Sequence, residues 1–87
     1  MRKLLFFTGR DCPSCDVVKK HLFAIMDRDK LDLVVEILEI NKGENARRAA
    51  DFAISSIPAV VVLDDDKPIY TFIGSTIIER LEDEGII

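Results

Sequence analysis

The chain contains no tryptophan, one tyrosine, one histidine and two cysteines. Site chemistries built on several histidines or cysteines are therefore closed to it. The lone His21 reads as a solvent-facing helix residue rather than a catalytic base. Two cysteines cannot build a disulfide framework, and by themselves they supply only two of the four ligands of a structural zinc. There is no excess of basic residues. Twelve Lys and Arg stand against sixteen Asp and Glu, for a net charge of −4. This argues against nucleic-acid binding, which calls for a basic stripe. Long hydrophobic runs are missing too. The apolar stretch in Met1-Arg2-Lys3-Leu4-Leu5-Phe6-Phe7 is too short for a signal-peptide h-region, and no segment reaches the roughly 20 apolar residues of a membrane span. No internal repeat, low-complexity segment or linker divides the chain. Residues 1–87 are expected to form a single domain, monomeric and cytoplasmic, with no nucleic-acid or membrane partner.

Both cysteines fall in one tetrapeptide, Cys12-Pro13-Ser14-Cys15. A vicinal pair can pass between dithiol and disulfide without moving the rest of a fold, and in a reducing compartment a purely structural disulfide is not expected. The chemistry to which the pair points is therefore thiol–disulfide exchange. The alternative is a metal- or iron–sulfur-binding module using the same two cysteines, with a dimer completing the ligand set.

The pattern around the pair is strand then helix. Lys3–Thr8 is a short apolar run, predicted as strand β1. Pro13 suits the first position of a helix, where its missing N–H costs nothing. Cys15, Val18, Leu22, Ile25 and Met26 recur at helical spacing, which predicts α1 over Pro13–Arg28. A Leu/Val/Ile-rich stretch predicts β2 over Leu33–Ile40. Asn41-Lys42-Gly43 breaks it, and the Ala- and Arg-rich Glu44–Ala53 predicts α2, ended by the segment leading to Pro58. Ala59–Leu63 (β3) and Ile69–Ile73 (β4) flank a turn at Asp64–Lys67 and read as a hairpin. Thr76 with Glu79 forms a capping-box pattern ahead of α3, which runs to about Glu84 and is ended by Gly85. Phe6, Phe7, Phe23, Phe52 and Phe72 read as core or near-core, and Tyr70 as strand packing. The order β-α-β-α-β-β-α implies an α/β fold with a mixed four-stranded sheet, β1 and β2 parallel, flanked by helices on both faces.

With Cys12-Pro13-Ser14-Cys15 at the β1–α1 junction, Ile57-Pro58 just before β3 and Gly74 after β4, the chain resembles the thioredoxin superfamily, in particular its small glutaredoxin-sized members. The resemblance spans nearly the whole chain. Ser56-Ile57-Pro58 and the single Gly74 look like thioredoxin. The short length and Pro13 look like glutaredoxin. Where thioredoxin carries a tryptophan before its first cysteine this chain has Asp11, and at the position of its buried acid it has Phe6. The resemblance implies a thioredoxin-like fold and a thiol–disulfide oxidoreductase that reduces protein disulfides. It makes Cys12 the nucleophile and Cys15 the resolving thiol, and it gives Pro13, Ser14, Ile57, Pro58 and Gly74 to the substrate site, with Ile57-Pro58 at the place of a cis-proline. No cofactor is bound by the chain itself. The implied partners are disulfide-containing proteins and, as electron donor, a reductase or glutathione.

Overall fold

The structure is a computed structural model and describes residues 1–87 throughout. Its elements are β1 (Arg2–Thr8), α1 (Pro13–Arg28), β2 (Val34–Glu39), α2 (Gly43–Asp51), β3 (Ala59–Asp64), β4 (Lys67–Ile73) and α3 (Ile77–Asp83). The sheet runs β2-β1-β3-β4, with β1 and β2 parallel and the other two neighbouring pairs antiparallel. The α/β class, element order and mixed four-stranded sheet are those expected.

The two central strands are apolar on both faces because both are covered. Leu4 and Phe6 of β1, with Val60 and Val62 of β3, point into a core formed by Val18, Leu22 and Ile25 of α1 and Ile77, Ile78 and Leu81 of α3. The alternate residues, Leu5 and Phe7 with Ala59, Val61 and Leu63, point into a smaller core under Ala49 of α2. A strand whose two faces are both buried reads as a continuous apolar run, as β1 and β3 do. Tyr70 stacks on Phe72, ring centroids 5.4 Å apart, and the Arg80 guanidinium lies 4.7 Å from the Phe72 ring centre.

Several details depart from the sequence reading. Phe23 is exposed rather than near-core. It follows Leu22 directly, and one residue turns a helix by about 100°, which takes Phe23 off the buried stripe. Phe52 is half-buried, its ring 6.4 Å from that of Phe7. Helix α2 stops at Asp51, well before the proline. Ala53 adopts a left-handed conformation (φ 58°), and the Ile54 N–H donates to the Ala49 carbonyl (2.9 Å), so a backbone cap ends the helix. Thr76 occupies the N-cap of α3, but its side chain makes no capping hydrogen bond. Strand β4 begins earlier than expected, at Lys67, and takes in Pro68. Register slips by one residue between Val62 and Leu63, leaving Ile69 out of the ladder. A proline is tolerated there because β4 is an edge strand. The tight turn before it places Asp65 and Asp66 at φ 49° and 69°, left-handed values that a two-residue hairpin loop demands and that aspartate accepts.

Candidate active site

The parallel β1–α1 unit delivers the cysteines. Strand β1 ends at Thr8, Gly9–Asp11 form the connection, and α1 begins at Pro13. Cys12 is the N-cap residue, and Pro13 takes the first helical position. The Cys15 N–H donates to the Cys12 sulfur at 3.2 Å, so the side chain serves one of the donors left unpaired at the helix start. Cys12 and Cys15 are joined in a disulfide with their Cα atoms 5.2 Å apart. The two sulfurs differ in access. Cys15 is fully buried against the base of α1, whereas Cys12 is half-buried at the surface. Ser14 is exposed, its Oγ 3.6 Å from the Cys12 sulfur.

The electrostatic surroundings are open to water. Arg10, Asp11 and Asp16 are all exposed, and none joins an ion pair. The fixed polarity at the sulfur therefore comes from the helix terminus, whose aligned peptide dipoles favour negative charge. No group of three or more His, Cys, Asp or Glu side chains is placed to hold a metal ion, and His21 is exposed on α1.

Of the remaining expected site residues, Ile57 and Pro58 lie beside the end of β1, and Gly74 lies one strand further across the sheet. The register Phe7–Ala59 carries Pro58 alongside the last residue of that strand. The Ile57–Pro58 peptide bond is cis. The Pro58 carbonyl accepts the Gly74 N–H at 2.9 Å, and Gly74 has φ 97°, a conformation costly to residues with a Cβ. Pro58 and Gly74 are thus tied at the mouth of the β3–β4 hairpin. Ile57 reaches across to the cysteine-bearing connection, and a Cβ added to Gly9 would lie 2.6 Å from its Cδ1. The Arg10 N–H donates to Asn41 Oδ1 (2.9 Å), joining that connection to the segment after β2.

The sequence reading did not give Gly9 or Asn41 to the site, nor Ile40, Ala46, Ala49 and Ile54, which with Ser55, Ser56 and Ile57 line a cleft of about 190 Å³. Only Gly9 carried a signal, as a glycine between a strand and a reactive loop. The others come from separate segments and share no local pattern.

No protein-family model and no curated protein sequence matches the chain. Its likeness to known proteins is one of shape. A mutant thioredoxin from Halobacterium salinarum NRC-1 superposes with a TM-score of 0.79 at 18% identity, over 95% of this chain and 70% of that one. Thioredoxin O2 from Arabidopsis thaliana in its oxidized state gives 0.81 at 11% identity, over 100% and 75%. The thioredoxin of Fasciola hepatica gives 0.80 at 16%, over 98% and 79%. From its strand order to its helix placement, the chain has the fold of the thioredoxin superfamily.

Proposed function

We propose that the protein is a thiol–disulfide oxidoreductase that reduces protein disulfides through Cys12 and Cys15. The observation that carries this reading is the asymmetry of the pair. Cys12 sits half-exposed at the N-cap of α1 with its sulfur accepting a backbone N–H, and Cys15 is buried directly behind it. A helix N-terminus stabilises a thiolate over a thiol, and the thiolate is the nucleophile in exchange.

In the reduced protein the Cys12 thiolate attacks one sulfur of a client disulfide. A mixed disulfide forms and the other client sulfur leaves as a thiolate. Cys15, as its thiolate, then attacks the Cys12 sulfur. The intramolecular disulfide closes and the second client sulfur is released. Two electrons pass to the client, whose two thiolates take up two protons. A separate reductase, or glutathione, returns two electrons to the Cys12–Cys15 disulfide. Pro13 and Ser14 border the sulfur, and Ile57, Pro58 and Gly74 provide the ledge against which an extended client segment lies. Within the same reading, residues 1–87 act as a single, monomeric domain in the cytoplasm, where a dithiol is kept available.

Reduction of insulin disulfides with dithiothreitol as reductant tests the assignment. Cys12→Ser is expected to fall to background. Cys15→Ser, reduced beforehand and freed of dithiothreitol before the client is added, is expected to accumulate a one-to-one mixed disulfide with it, visible as added mass that fresh reductant removes. Full turnover by Cys12→Ser would sink the assigned roles.

A further inference from the structure

Cys15 must lose a proton before it attacks, and it is fully buried. Apolar surroundings disfavour a thiolate. Into the core that α1 covers, β1 sends Leu4 and Phe6, β3 sends Val60 and Val62, and α3 sends Ile77, Ile78 and Leu81. The charged Glu79 and Arg80 of α3 are exposed. On α1 itself, Asp16 is exposed, turned about 100° from Cys15. Lys19, one turn on, is half-buried and joins no ion pair. Arg10 and Asp11 of the connection are exposed.

One pair of side chains differs. Helix α1 joins parallel strands and so runs back over β1. Cys15 lies one turn before Val18 on the buried stripe, about 4.5 Å along the helix. Thr8 lies two residues beyond Phe6 on the same face of β1, about 6.6 Å along the strand. Both steps lead to the same end of the contact, so Thr8 faces the first turn of α1. It is the only polar residue among the buried ones, at 5% exposure. Its hydroxyl makes no hydrogen bond within the protein, and no side-chain oxygen is both sealed and unpaired, so the hydroxyl reaches water. Beside Thr8 in register stands Glu39 of β2. Partners in a parallel ladder share a face, which puts the carboxylate next to the hydroxyl, whereas the pair below, Phe6 and Ile37, is apolar. Glu39 is exposed and its carboxylate is in no ion pair.

We propose that Thr8 and Glu39 carry the Cys15 proton out of the core. As the Cys15 thiol gives its proton to Thr8 Oγ1, the hydroxyl proton passes to the Glu39 carboxylate. The Cys15 thiolate attacks Cys12 Sγ, the bond from Cys12 to the client sulfur breaks, and the client leaves as a thiolate. Glu39 then yields its proton to water. The role of both residues rests on the dithiol reading above and adds to it the route of the proton.

Rapid mixing tests it. The pre-reduced full chain, freed of reductant, meets an excess of a disulfide-linked peptide dimer, and acid quenching with mass analysis follows the mixed disulfide as it forms and decays. Decay is closure by Cys15, and formation, set by Cys12, serves as the internal reference. At pH 7, Thr8→Val keeps the side-chain shape without the hydroxyl and is expected to lengthen the mixed disulfide's lifetime about 10-fold, the scale of one hydrogen bond to a charged group. Glu39→Gln is expected to lengthen it by a similar factor, and Thr8→Ser, which keeps the hydroxyl, to stay near wild type. Toward pH 10 hydroxide removes the thiol proton directly, and the lifetimes are expected to converge. A wild-type lifetime in Thr8→Val at pH 7, or a lengthening undiminished at pH 10, would overturn the relay and leave the dithiol reading standing. A wild-type lifetime in Glu39→Gln would overturn the part given to Glu39. A wild-type chain that neither forms a mixed disulfide nor reduces the peptide would overturn the dithiol reading as well.

Discussion

On one face of the sheet α1 and α3 bury a core of 12 residues, whereas on the other α2 alone covers a core of 7. The same two central strands feed both, through alternate residues. On the thick face, two helices contribute six large or branched side chains. On the thin face, α2 buries only Ala49 and is held by an ionic clip, with Glu36 of β2 accepting from Lys3 Nζ and Arg48 Nη1, each at 2.9 Å. Ile73, paired with Ala59 on that face, stays exposed. The proposed chemistry divides along the same line. Cys15 is anchored in the helix of the thick core, where close packing fixes its position. The cleft belongs to the thin face, where small residues leave room. Packing that is deep holds a reacting atom still, and packing that is shallow leaves open space beside it.

Neighbouring residues test that difference most directly. Phe6 and Phe7 are both fully buried, one in each core. Phe6→Ala is expected to cost about 4–5 kcal/mol and Phe7→Ala about 3 kcal/mol, because a thinner layer relaxes more readily around the lost ring. Urea denaturation of the two variants gives the order, and a larger loss for Phe7→Ala would erase the distinction between the faces.

The clip predicts a smaller effect with a pH signature. Hydrogen bonds from Lys3 and then Arg48 hold the Glu36 carboxyl below its ordinary value of 4.5. A depressed value in the folded state means that the stabilisation is complete above the unfolded value and is lost as pH falls through the folded one. Because the partners are about a third exposed, Glu36→Gln is expected to cost about 1 kcal/mol or less at neutral pH. Wild type and variant should converge in acid, and a difference that persisted there would assign the clip no ionic contribution. Smallest of all is Phe23→Ser. Phe23 is exposed on α1, and the change is expected to move stability by no more than about 0.5 kcal/mol in thermal unfolding.

The readable parts of this molecule are those with local periodicity. Helix α1 ran from Pro13 to Arg28 in both sequence and structure, because Pro13 marks its start and Cys15, Val18, Leu22 and Ile25 keep one phase. Less legible features had no local cause. Nothing in alanine chemistry announces the left-handed Ala53 that ends α2, and the capping box at Thr76 was a pattern without a bond. The cis bond before Pro58 came from the resemblance, since most X–Pro bonds in folded proteins are trans.

The reactive tetrapeptide, its place between a strand and a helix, and the alternation that buries both faces of β1 and β3 were written in the amino-acid order. Each depends on residues a few positions apart, whose geometry the backbone period dictates. The tie between Pro58 and Gly74, the approach of Ile57 to Gly9 and the cleft behind it were decided by the tertiary structure. They join segments distant in the chain, and such neighbours are chosen by the packing of the sheet against its helices rather than by any spacing along the sequence.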